Sequence, residues 1–106
     1  MEFELKSFIL RGPQRADSSD GVSVYSVDRF HIRYARPDRY CDIYTESVLR
    51  DNHVTGAALS VSKASHWVMA DGSSCPILSQ ERAEMKEDLC EAWKVLGSPT
   101  YRIHFE

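Results

Sequence analysis

Cysteine is scarce in this chain: Cys41, Cys75 and Cys90 are an odd number with no short spacing between them. A disulfide framework or a zinc knuckle needs paired ligands a few residues apart, so neither is encoded. Reduced thiols in a cytoplasmic protein are the expectation. No apolar run approaches the roughly eighteen residues of a membrane span, and the opening Met-Glu-Phe-Glu-Leu-Lys has acids where a secretory signal has apolar residues. Charge of one sign is also lacking. A net charge of −3 on 106 residues gives little attraction for nucleic acid, which is disfavoured as a partner. The five glycines (Gly12, Gly21, Gly56, Gly72 and Gly97) are isolated, so no phosphate loop or dinucleotide fingerprint is present. No serine-nucleophile motif appears either. What remains is an ordinary globular composition, 42% hydrophobic and 27% charged, sized for a single domain spanning residues 1–106.

Periodicity gives the elements. Phe3 to Leu10 is apolar-rich and predicts an opening strand that Gly12-Pro13 stops. Ala16 to Gly21 is loop chemistry, small polar residues that bond their own backbone. Val22 to Val27 and Phe30 to Tyr34 read as a hairpin turning at Asp28-Arg29, with Phe30, Ile32 and Tyr34 on one face and His31 and Arg33 on the other. Arg36-Pro37-Asp38 breaks the pattern. Cys41 to Leu49 fits a strand or a short helix, and its β-branched and aromatic residues favour the strand. After a turn at Asp51-Asn52-His53, Ala57, Leu59 and Val61 alternate with Ala58, Ser60 and Ser62 in a further strand. Ser65 to Met69 continues it past a bend, and Asp71-Gly72 is a turn.

Ser79 then opens the one long helix. Its hydroxyl suits an N-cap, and Glu81 and Glu84 suit the positive end of the helix dipole. Met85, Leu89, Ala92, Trp93 and Leu96 recur at helical spacing as the buried stripe, while Gly97 and Pro99 end the element. Tyr101, Ile103 and Phe105 alternate with Arg102, His104 and Glu106 in a last strand. The sum is α+β: an antiparallel sheet of about five to six strands with one long C-terminal helix packed across a face.

Catalytic chemistry finds no constellation to rest on. His31, His53, His66 and His104 are scattered, and none shares a helix face or stands close to a cysteine, so no metal site is implied. Cys75 and His66 flank one turn, but a cysteine before proline there reads as a turn residue. Arg29, Arg33, Arg36 and Arg39 interleave with Phe30, Tyr34 and Tyr40, the residue types that hold single-stranded nucleic acid. Alternation places Phe30 and Tyr34 on the face opposite Arg33, which argues against a shared surface.

The helix carries the clearest sign of a binding role. At a hundred degrees per residue, Glu84, Glu87 and Glu91 form a stripe opposite the apolar face. Like charges four apart cost roughly 0.2–0.5 kcal/mol each. The dipole accounts for Glu84 but not for Glu91, so a basic partner is one reading of the stripe and a solvated face the other. Trp67 either caps the core beneath the helix or anchors an interface.

The succession Leu59-Ser60-Val61-Ser62, Ser65-His66-Trp67, Asp71-Gly72, Pro76-Ile77-Leu78-Ser79, the acidic helix and Tyr101-Arg102-Ile103-His104-Phe105 resembles the immunity protein 74 family of polymorphic-toxin immunity proteins. The likeness covers about the last half of the chain. It implies a cytoplasmic, non-enzymatic protein without cofactor that binds and blocks a cognate toxin domain, for which a basic nuclease cleft is one class. The partner-binding residues expected here are Glu84, Glu87, Glu91 and Trp67, taken from the helix face and the turn.

Overall fold

A computed structural model describes residues 8–12, 14–96 and 102–106. The expected Phe3–Ser7 part of the first strand, Pro13, the helix-ending Gly97 and Pro99, and Tyr101 lie outside them. The strands are β1 (Phe8–Leu10), β2 (Arg15–Ser18), β3 (Ser23–Asp28), β4 (His31–Arg36), β5 (Arg39–Arg50), β6 (His53–Leu59), β7 (His66–Met69), β8 (Ser74–Pro76) and β9 (Arg102–Phe105). A 3-10 turn, Val61–Lys63, precedes β7, and helix α1 (Ser79–Leu96) follows β8. The class is α+β as expected, but among the described residues the sheet has nine strands instead of five or six.

Three extra strands account for the difference: β2, β8, and β7, which was expected to continue β6 but is set apart by the 3-10 turn and pairs with β5. Arg15 to Ser18, which overlaps the loop expected from Ala16 on, pairs with both β1 and β3, because Ala16 is small enough to point into the core between outward Arg15 and Asp17. Ser74 to Pro76 forms an edge strand, where a missing N–H is tolerated. The β3–β4 turn falls at Arg29 and Phe30, since the Asp28 carboxylate accepts the Phe30 N–H at 2.8 Å and draws Phe30 out of the alternation.

The order runs β1-β2-β3-β4-β5-β6-β9, and the first part of β5 also pairs with β7, which carries β8. β5 is therefore shared, with Arg39–Tyr44 on β4 and Thr45–Arg50 on β6. All pairs are antiparallel except β6 with β9, whose parallel register needs the crossover that α1 supplies. Gly56 is obligatory there: a Cβ would stand 1.9 Å from the Arg102 carbonyl oxygen. The sheet curls so that α1 meets β1 and β2 near one end and β9 at the other. Its inner face and the helix enclose Val24, Tyr34, Ile43, Leu59, Val61, Trp67, Met85 and Leu89.

The helix begins with a different cap from the one expected. Glu81 reaches back to accept the Leu78 N–H at 2.9 Å, the reciprocal half of a capping box. Its buried face is Met85, Asp88, Leu89 and Ala92, turned by roughly 35° from the one predicted, which ran on to Trp93 and Leu96. Trp93 and Leu96 pack at its margin instead.

Candidate functional site

Two surfaces of the sheet carry aromatic and charged side chains, and the helix covers only one of them. On the inner face, Trp67 is 0% exposed. Its Nε1–H donates to Glu81 Oε1 at 3.2 Å, and the guanidinium of Arg36 lies 5.0 Å from its ring centroid. Arg39 donates to Glu81 Oε2 at 3.2 Å, and Arg36 donates to Glu84 Oε2 at 3.2 Å. Deeper in, the Tyr34 hydroxyl donates to the carboxylate of Asp88, itself only 4% exposed. Burial, then the bond to Asp88, pushes the Tyr34 hydroxyl well above its ordinary pKa. The Leu78 N–H, then Trp67 and the two arginines, hold the Glu81 carboxyl below its ordinary range. These groups satisfy one another and pin the start of α1 to β4, β5 and β7.

This arrangement corrects part of the sequence expectation. Trp67 has no side-chain surface to offer a partner and is the core cap, not an interface anchor. Glu84 belongs partly to the inner network through Arg36, and Glu91 accepts from Lys94 at 2.8 Å. Of the predicted stripe, Glu87 stands exposed beyond these pairings. The rotation of the buried face explains the change, because it carries Asp88 inward and moves Glu84 and Glu91 towards the flanks. Cys41 is buried beside Met85, and burial pushes its thiol up to about 12.

The outer face was missed. Residues opposite one another in an antiparallel pair share a face, so the pairs Arg15–Tyr25, Tyr25–Arg33, Arg33–Asp42 and His31–Tyr44 stand on the surface away from α1. Arg15 lies 4.9 Å over the Tyr25 ring and Arg33 4.0 Å over the Tyr40 ring. Arg33 also donates to both Asp42 oxygens, at 2.8 and 3.1 Å. Tyr44, 39% exposed, stacks on Phe30, 52% exposed, with ring centroids 6.4 Å apart, and His31 meets it edge-on at 5.9 Å. Aromatic and basic groups therefore do share a surface, through Tyr25 and Tyr40 rather than Phe30 and Tyr34. The four predicted arginines do not share one: Arg33 faces out, Arg36 and Arg39 face the helix, and Arg29 sits in a turn.

Among the described residues, no group of three or more His, Cys, Asp or Glu is placed to hold a metal ion. No helix among them is long and apolar enough to cross a membrane. Compared with known protein families, curated proteins and solved structures, the chain matches none.

Proposed function

We propose that this chain is a non-enzymatic binding protein that takes a protein partner on the outer face of β2–β5, and that it acts as an immunity protein occluding a cognate toxin domain. The observation that carries the binding role is the composition of that face. Tyr25, Tyr40 and Tyr44 lie there with Phe30, Arg15 and Arg33, and no described element covers them. Tyrosine, phenylalanine and arginine are the residues enriched in interfaces, and lysine is depleted. The lysines among the described residues, Lys63, Lys86 and Lys94, stand on the 3-10 turn and the helix instead.

The toxin reading and the cytoplasmic location rest on the resemblance in the C-terminal half. A basic nuclease as the toxin was suited by the acidic stripe. On the sheet face Arg15 is paired with Asp17 and Arg33 with Asp42, so that surface favours no charge on the partner. A nucleic-acid role is disfavoured for the same reason, since phosphate binding needs cations free to replace counterions.

The test uses the polypeptide encoded beside this chain's gene. Titration calorimetry should show binding by the native chain and at least tenfold weaker binding by a Phe30→Ser, Tyr44→Ser variant. Equal affinities would remove the sheet face from the proposal. The absence of any binding by the native chain would remove the immunity reading.

A further inference from the structure

β9 leaves one edge of the sheet open. The Glu106 N–H donates to the Leu59 carbonyl at 2.9 Å, and the Glu106 carbonyl accepts from the Ser62 N–H at 3.0 Å. Main-chain groups point to alternate edges along a strand. Arg102, His104 and Glu106 therefore turn theirs to β6, while Ile103 and Phe105 turn theirs away. Among the described residues no strand and no hydrogen bond meets Ile103 or Phe105 on that side. Exposed edges are commonly blunted by proline or lysine. β8 carries Pro76, whereas β9 has neither residue.

The side chains sort by the same alternation. Arg102 and His104 stand beside Gly56 and Ala58 on the outer side, Glu106 follows them there, and all three are exposed. Ile103 and Phe105 stand beside Ala57 and Leu59 on the inner side, half-buried against the core. No ion pair among the described residues engages Arg102 or Glu106.

We infer that β9 pairs edge to edge with β9 of a second copy of this chain, antiparallel about a two-fold axis at His104. The order Arg-Ile-His-Phe-Glu is self-complementary in that arrangement. A hydrogen-bonded antiparallel pair needs two residues whose main-chain groups both face the partner strand. Within the described residues one register uses Ile103 and Phe105 together, each opposite the other in the second copy. That register sets Arg102 opposite Glu106 of the second copy, and Glu106 opposite its Arg102, so each unpaired charge meets its opposite. On the inner side isoleucine meets phenylalanine and extends the apolar layer. Placing the axis at Ile103 or at Phe105 instead loses the Arg102–Glu106 match. The strand is short, so the dimer belongs with interfaces below roughly 1,200 Å² of total area, which are weak and reversible. β9 lies at the opposite end of the sheet order from β2 and β3, and the pairing is independent of the binding role given to the outer face.

The test is sedimentation velocity on the full chain from micromolar to millimolar concentration, where the native protein should show a monomer–dimer equilibrium. Arg102→Glu and Glu106→Arg each set like charges opposite one another twice and should weaken it by about tenfold or more. Both side chains are exposed, so each variant should melt as the native chain does. An equimolar mixture of the two variants should recover dimers to within about threefold of native strength, because each chain supplies the charges the other lacks. A native chain that stays monomeric throughout, even if its edge takes up a strand of another protein, would overturn the pairing. So would dimers that survive both single substitutions, or folded variants that stay apart when mixed.

Discussion

The two faces of the sheet use the same residue types to opposite ends. On the inner face Arg36, Arg39, Trp67, Glu81, Tyr34 and Asp88 close on one another and fix the helix. On the outer face Arg15, Tyr25, Arg33, Tyr40, Tyr44 and Phe30 form ladders that stop at the surface. An arginine stacked on an aromatic ring thus says nothing of function until its other side is known. Where a helix lies over the pair the cluster holds the fold, and where nothing does it is available for recognition.

The sharpest division between the faces should appear in stability. Trp67→Ala removes the largest buried side chain of the inner face and is expected to cost about 3–5 kcal/mol in chemical denaturation. A loss below about 1 kcal/mol would place Trp67 outside the core. Tyr34→Phe removes a hydrogen bond to the buried Asp88 carboxylate and should cost about 1.5–3 kcal/mol. Gly56→Ala forces β9 away from β6 and is expected to cost about 1–3 kcal/mol by the same assay.

Acid should act on the inner face next. The Glu81 carboxyl is held below its ordinary 4.5, so its contribution is complete above that value and is lost as pH falls through its folded-state value. Melting curves of the native chain should therefore decline more steeply below about pH 4.5 than those of Glu81→Gln. Parallel curves would separate Glu81 from the network. The outer face should respond least. Phe30→Ser with Tyr44→Ser should cost about 1 kcal/mol, because both side chains are only half covered and lose little beyond their mutual stacking.

How much of this was legible in the sequence follows the same division. The β3–β4 hairpin, the long helix and the alternation of the last strand are local patterns, and each is present. β2 was hidden because Arg-Ala-Asp-Ser has turn composition and becomes a strand only through two neighbours. The parallel β6–β9 pairing was hidden because a single sequence carries no record of strand order. Gly56 was its one local trace, a glycine inside an apolar strand with no turn to explain it. The helix face was misjudged through Asp88, whose charge reads as solvated until Tyr34, distant in sequence, supplies its hydrogen bond. Of the predicted site, the glutamates lie on the helix as drawn and Trp67 is core. The outer sheet face escaped notice because its rings and guanidiniums come from four strands.

The measurement that bears most directly on the division is a paired affinity determination with the polypeptide encoded beside this chain's gene. It compares Phe30→Ser, Tyr44→Ser with Glu87→Lys, both substituted on the surface. Binding at least tenfold weaker for the first and within about threefold of native for the second is expected, a separation of roughly 0.7 kcal/mol or more. Loss of binding by Glu87→Lys with native affinity in the sheet-face variant would return recognition to the helix and contradict the assignment of the outer face.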